Sequence, residues 1–101
     1  MHCSVWRFRG DPDALERGYR AVMEQVPASN HVFHAAAWTP DGLLIFDTCP
    51  SEEAYRAFFG SADVRALFAE VGLVDGVAED YPVVRAYAQR AEVDSTAWDE
   101  P

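Results

Sequence analysis

Apolar side chains recur with two different spacings at the start of the chain. Residues 2–9 alternate between apolar and polar positions, which predicts a strand. Residues 15–26 carry apolar side chains at helical spacing, with charged residues on the opposite side, which predicts a one-faced helix. Asp11 and Pro12 stand between the two runs, as an N-cap residue and a first-turn proline do. We therefore expect the strand to end and the helix to begin there.

Two more strand-like runs, residues 31–38 and 43–49, are joined by residues 39–42, which read Thr-Pro-Asp-Gly. Such a loop is typical of a hairpin, so we expect the two runs to pair antiparallel. Side chains alternate with period two and the loop has an even number of residues, so the pairing places His34 directly opposite Asp47. A histidine and a carboxylate should thus share one face of the sheet.

The second half of the chain reads as a broken helix followed by a last strand. Ser51 is the expected N-cap of this helix, and residues 60–63 interrupt its apolar pattern before the pattern resumes and ends at Gly72. Residues 81–87 read as the last strand, and residues 88–101 read as a polar tail. A bend within the helix would shape the edge of a pocket.

The predicted order is β-α-β-β-α-β, that of the ferredoxin-like α+β fold, in which two helices cover one face of a four-stranded antiparallel sheet. A chain of 101 residues has room for one such domain, which we assign to residues 1–87, followed by the tail at 88–101. The other sheet face would stay uncovered and carry large apolar residues, including tryptophan. A second copy is the simplest cover, so we expect a homodimer.

Charge and cysteine content exclude several classes of partner and site. Eight basic residues stand against 17 acidic ones, a formal net charge of −9, so nucleic acid and anionic membranes would be repelled. No apolar run approaches the ~20 residues that span a bilayer, and we expect a cytoplasmic protein. Cys3 and Cys49 supply neither a disulfide framework nor zinc spacing. His31 and His34 point to opposite faces of a strand, so we expect no metal site.

His34 and Asp47 form the pair that carries the expected chemistry. A carboxylate fixes the tautomer of a neighbouring imidazole and raises its basicity, which suits proton abstraction from a phenol or an activated C–H group. Arg85 in the last strand could hold the developing oxyanion, or else pair with an acidic residue at the rim. The alternative interpretation of the histidine is a structural ion pair without a catalytic role.

Aromatic residues and one thiol complete the predicted ligand site, which comprises Trp6, Trp38, Cys49, Phe58 and Tyr87. Aromatic side chains suit a flat ligand, yet they serve equally well as core or as a dimer interface. Cys49 could also join the His–Asp pair in a nucleophilic set. The alternative for this cysteine is a small buried hydrophobe.

A family resemblance rests on two segments, residues 47–58 (DTCPSEEAYRAF) and residues 79–83 (EDYPV). They resemble the dimeric α+β barrel superfamily, and within it the antibiotic biosynthesis monooxygenase-like branch. The resemblance implies a ferredoxin-like dimer whose relatives include cofactor-independent oxygenases of aromatic polyketides and polyketide cyclases. Cys49 and Phe58 stand where the family pattern has a tryptophan and a helix histidine, so neither of those functional residues is carried over. Asp47 is the only acidic match.

These observations favour a small enzyme of the monooxygenase or cyclase type that needs no cofactor. It would act on an aromatic or polyketide-like small molecule by His-assisted proton abstraction. The alternative is a non-catalytic small-molecule-binding or dimeric assembly protein of the same fold. The absence of the family's tryptophan and histidine favours this alternative.

Overall fold

The computed structural model describes residues 1–25, 33–88 and 91–93. Its elements in chain order are β1 (His2–Arg9), α1 (Pro12–Met23), β2 (His34–Thr39), β3 (Gly42–Cys49), α2 (Glu52–Phe59), α3 (Ala62–Glu70), β4 (Val77–Pro82), β5 (Ala86–Ala88) and β6 (Ala91–Val93). The first four strands form one antiparallel sheet in the order β2-β3-β1-β4, and β5 pairs with β6 separately. The predicted ferredoxin-like α+β architecture is confirmed, with its second helix divided in two.

The helix starts follow from short polar side chains at the N-cap positions. Asp11, Ser51 and Ser61 each accept a hydrogen bond from the backbone N–H three residues later, at 3.0, 3.0 and 3.1 Å. The caps predicted at Asp11 and Ser51 are confirmed. The predicted interruption is confirmed too, because α2 ends at Phe59 with Gly60 as its C-cap residue, and α3 begins at Ala62 with Ser61 as its N-cap residue. No helix in the described ranges is long and apolar enough to cross a membrane.

The core lies between the three helices and one face of the sheet. Strand register places Phe8 of β1 opposite Leu43 of β3, and both side chains are almost fully buried. They pack with Leu15 and Val22 from α1 and with Leu73, which follows α3. Because side chains alternate along a strand, the remaining even-numbered residues of β1 also face the helices. This face carries the functional groups described below.

Glycine at position 18 lets α1 approach the segment after α3. A Cβ built on Gly18 would lie 2.5 Å from the backbone oxygen of Val71 and 3.3 Å from Leu73. Glycine in a helix interior costs about 1 kcal/mol relative to alanine. Glycine is nevertheless required at this position, because a larger side chain would clash with the backbone of Val71.

The last strand differs from the prediction for residues 81–87. Strand β4 runs over Val77–Pro82 because its register uses most of β1, from Val77 opposite Arg7 to Pro82 opposite His2. Arg85 lies after β4, in the exposed connection to β5, so its predicted position inside a strand is wrong. Strands β5 and β6 extend regular structure past residue 87, where we expected a polar tail. Residues 94–101 lie outside the described part of the chain.

The outer face of the sheet is apolar, as predicted, but tryptophan does not contribute to it. Trp6 and Trp38 pair in register with Ile45 and Leu43, so both rings belong to the helix face. The apolar residues of the outer face are instead Val5, Phe33, Leu44, Phe46, Val77 and Tyr81. The exposed Arg7 and Glu79 lie on the same face. Alternation along β2 and β3 explains the correction, since the predicted hairpin register already placed Trp38 with His34.

Candidate functional site

A cavity of about 470 Å³ lies between the helix layer and the sheet. Its size falls within the range of about 300–1,000 Å³ that is common for small-molecule sites. Six aromatic rings form much of its lining, namely Trp6, Phe8, Tyr19, Phe58, Phe59 and Phe68. The polar lining lies where β2 begins and β3 ends. It includes His34, Asp47, Thr48 and Cys49.

The aromatic wall is built by rings that pack on one another from β1, α2 and α3. The Trp6 ring lies 4.9 Å from Phe59 and 6.1 Å from Phe68, centroid to centroid. The Trp6 Nε1–H donates to the Ser4 hydroxyl at 3.2 Å, so the indole can turn its apolar surface to the cavity while its N–H is satisfied. Such a wall suits a flat apolar ligand body.

The polar end is built on the predicted pairing of His34 with Asp47, and the register confirms that they stand directly opposite. His34 Nδ1 lies 3.2 Å from Asp47 Oδ1, and the two side chains are only 16% and 11% exposed. The backbone N–H of Thr48 donates to the same Oδ1 at 2.9 Å. The Thr48 hydroxyl in turn donates to the carbonyl of Phe33 and accepts from its N–H. The carboxylate is therefore held in one orientation toward the imidazole.

Tyr19 of α1 is a site residue that the sequence did not single out. Its hydroxyl lies 2.5 Å from His34 Nε2, and its ring stacks on the imidazole at 5.8 Å. Burial, and secondarily the negative charge of Asp47, raise the pKa of Tyr19. In the sequence Tyr19 is one more apolar position of the first helix. The feature that could have indicated a role for Tyr19 is its hydroxyl group, because the other residues on that side of the helix are apolar.

The Cys49 thiol lies in the cavity lining but is not activated. Burial, and secondarily the charge of Asp47, raise the pKa of this thiol to about 11. A reactive cysteine requires the opposite shift, because the thiolate is the nucleophile. The raised pKa thus argues against a nucleophilic Cys–His–Asp set and favours the alternative of a small buried wall residue.

The predicted site residues divide into those that meet at the cavity and those that do not. The structure brings together Trp6, His34, Asp47, Cys49 and Phe58. Trp38 instead lies in a second hollow between α1 and β2 and is 53% exposed. Arg85 and Tyr87 line neither space, and Tyr87 is 59% exposed. Their predicted places at the ligand depended on a strand over residues 81–87, and the strand ends at Pro82.

A second polar cluster lies on the same face of the sheet, at the edge formed by β4. His2 Nε2 lies 2.7 Å from Asp80 Oδ1, and Arg56 donates two hydrogen bonds to the same carboxylate at 2.9 and 2.7 Å. The hydrogen bonds from Arg56, and then from His2, lower the pKa of Asp80. The cluster ties α2 to β1 and β4, and so holds in place the helix that supplies Phe58 and Phe59. No local sequence pattern predicts this cluster, because its residues are distant along the chain.

Potential metal ligands do not converge in the part of the chain that the structure describes. No group of three or more histidine, cysteine, aspartate or glutamate side chains is placed to hold an ion there. His31, which we expected to point away from His34, lies outside the described residues.

Comparison with solved structures identifies the fold. A dimeric ferredoxin-like protein of unknown function from Thermobifida fusca YX shares 18% identity over 79% of this chain and 88% of its own, with a TM-score of 0.58. A proposed antibiotic biosynthesis monooxygenase from Chloroflexus aurantiacus shares 15% identity over 86% and 96%, with a TM-score of 0.63. Rv0793 from Mycobacterium tuberculosis shares 17% identity over 82% and 94%, with a TM-score of 0.58.

No protein-family model and no curated protein matches the sequence. The structural likeness confirms the ferredoxin-like fold that the family resemblance implies. A shared fold leaves the reaction to be argued from the site.

Proposed function

We propose that this chain is a small cofactor-independent enzyme that removes a proton from an aromatic or polyketide-like molecule, as an oxygenase or a cyclase does. His34 accepts the proton and Asp47 orients His34. The observation that carries the proposal is the 3.2 Å contact between His34 Nδ1 and Asp47 Oδ1 at the polar end of an aromatic cavity. The proposal includes a cytoplasmic location, which rests on the composition of the chain.

The geometry supports a base at His34. A carboxylate accepts hydrogen bonds and does not donate them, so the contact with Asp47 favours the tautomer with hydrogen on Nδ1. Nε2 is then the basic nitrogen. When it takes a proton, the imidazolium forms beside a carboxylate that the Thr48 N–H already holds in place. Arg85 has no role in this proposal, because it lies outside the cavity lining.

An oxygenase reaction on a hydroxylated anthrone illustrates the balance of atoms. The ring CH₂ group loses two hydrogens and gains one oxygen atom from dioxygen, and the second oxygen atom leaves as water. Dioxygen is reduced and the carbon is oxidised. The part of this reaction assigned to the protein is the first proton transfer, which leaves an electron-rich anion able to reduce dioxygen.

Oxygen uptake with a hydroxylated anthrone tests the proposal. Loss of a general base typically costs about 10²–10⁴ in rate, so we expect His34→Ala to lose at least about a hundredfold and Asp47→Asn to lose a smaller factor. Tyr55→Phe is the matched control, because Tyr55 is a buried aromatic that does not line the cavity. Unchanged turnover in both site variants would remove the pair from the mechanism.

A non-catalytic binding protein is the second candidate function. Phe58 is the observation that favours it, since an apolar ring lines the cavity where the family resemblance would place a histidine. The same cavity would then hold a flat ligand without changing it. Thermal shift with candidate ligands measures such binding, and saturable turnover of any of them by the purified protein would exclude this function.

We also propose that the protein is a homodimer joined through the outer face of the sheet. Phe33 is 46% exposed, Tyr81 is 57% exposed and Val77 is 65% exposed on this face of the single chain. Large exposed apolar side chains grouped on one face, with the charged Arg7 and Glu79 among them, are typical of an interface. The ferredoxin-like protein from Thermobifida fusca, which has the same fold, is described as dimeric. Native mass spectrometry tests the proposal, and a chain that stays monomeric at high concentration would refute it.

A further inference from the structure

We propose that Tyr19 is the residue that exchanges a proton with the ligand, and that it passes this proton to His34. The inference rests on the proposed function and changes the identity of the group that touches the substrate. It starts from the two nitrogens of His34, each of which has a described partner. Nδ1 faces Asp47 and Nε2 faces the hydroxyl of Tyr19.

The direction of the hydrogen bonds follows from these partners. Nδ1 carries the hydrogen that Asp47 accepts, so Nε2 of the neutral ring accepts a hydrogen bond. The Tyr19 O–H is therefore the donor to Nε2. Its phenolic oxygen keeps lone-pair capacity for a ligand, and Tyr19 lines the cavity. A substrate O–H group that enters the polar end can thus donate to Tyr19.

The proton transfer balances without any further reactant. The substrate O–H bond breaks and its proton forms a new O–H bond on Tyr19. The original Tyr19 proton moves to His34 Nε2, and the imidazolium is stabilised by Asp47. The substrate leaves this step as an oxyanion, and Tyr19 ends as it began, as a neutral hydroxyl. Burial near Asp47 disfavours a tyrosinate, which suits a relay and not a resident base.

The relay also defines the class of ligand. The group that enters the polar end must be a hydrogen-bond donor with an acidic proton, such as a phenol or an enol, attached to a flat apolar body. A ligand that offers only a carbonyl oxygen to Tyr19 would compete with His34 for the same hydroxyl hydrogen. Methylation of the ligand hydroxyl should therefore weaken binding.

4-Nitrophenol is a suitable probe, because its phenolate has a visible absorption band that its phenol lacks. We expect the wild-type protein to bind it and to increase the phenolate fraction at a pH where the free probe is largely protonated. Tyr19→Phe and His34→Gln should both still bind the probe. In each variant the fraction of bound probe present as phenolate should be at least about tenfold smaller than in the wild-type protein. Tyr55→Phe is the control and should behave like wild type, since this residue lies outside the cavity lining.

The outcomes separate the relay from the function on which it rests. Undiminished phenolate in Tyr19→Phe, with loss in His34→Gln, would show that His34 acts directly and would overturn the relay alone. A wild-type protein that leaves the bound probe fully protonated would overturn both the proposed function and the relay. The ¹⁵N spectrum of His34 in the wild-type protein is a further test that needs no variant, because it shows which ring nitrogen carries the hydrogen. Hydrogen on Nδ1 supports the relay, and hydrogen on Nε2 in the free neutral ring would overturn it.

Discussion

Cys49 reports on the polar end of the cavity because its pKa depends on both burial and Asp47. The pKa rises from the ordinary 9.0 to about 11, a difference of two pH units. At the same pH the thiolate fraction is then about a hundredfold smaller than that of an exposed cysteine. Since the thiolate is the species that iodoacetamide alkylates, we expect Cys49 to react about a hundred times more slowly than N-acetylcysteine near pH 8.

Asp47→Asn is the perturbation that separates the two causes. The substitution removes the negative charge and leaves the cavity walls in place, so the pKa of Cys49 should fall and its alkylation should become faster. The rate should still stay below that of the free thiol, because burial is the larger cause.

The alkylation is best followed by mass spectrometry over a pH series, in a Cys3→Ser background so that only one thiol reacts. Urea-unfolded protein is the control and should react like the free thiol. An apparent pKa at or below that of N-acetylcysteine in the folded protein would refute the reasoning. It would mean that the thiol lies in a positive or well-solvated environment, which is incompatible with the described cavity.

Three further predictions concern the packing of the first helix, the Asp80 cluster and the proposed dimer. Gly18→Ala should destabilise the protein in urea unfolding, because overpacking against the Val71 carbonyl costs about 1–3 kcal/mol and the gain in helix propensity is only about 1 kcal/mol; equal or greater stability would contradict the close approach. Hydrogen bonds lower the pKa of Asp80 from its ordinary value of 3.8. The ionised carboxylate therefore stabilises the folded state at pH values above 3.8, and this stabilisation is lost as the pH falls from 3.8 through the lowered pKa. Asp80→Asn should therefore unfold more easily at neutral pH and lose less stability on acidification, and parallel pH profiles of the two proteins would contradict this. Phe46→Asp should convert the proposed dimer to a folded monomer in sedimentation experiments, and an unchanged dimer would place the interface elsewhere.

The features predicted well from the sequence are those set by local rules. Helix caps depend on a side chain and a backbone N–H three residues apart, so Asp11 and Ser51 could be identified directly. The opposition of His34 and Asp47 follows from the length of one hairpin loop and the alternation of side chains. Both kinds of inference need only a few neighbouring residues.

The features predicted poorly depend on contacts between distant segments. Tyr19 meets His34 only once α1 has packed across the sheet, and no local pattern fixes that approach. The last strand was placed too late, because its bounds are set by pairing with β1 and not by its own apolar pattern, and this error carried Arg85 and Tyr87 into the predicted site. The face of Trp6 likewise depends on pairing between β1 and β3, whereas the face of Trp38 follows from the predicted hairpin register.

The central claim is that ligands bind in the cavity between helices and sheet, with their polar group at His34. Titration of isotopically labelled protein with 1-naphthol, followed by NMR, tests it most directly. The account predicts saturable shifts at His34, Cys49 and the rings of Phe59 and Phe68, which line the cavity. Saturable shifts confined to the outer face of the sheet, or an absence of shifts at His34 under saturating ligand, would contradict it.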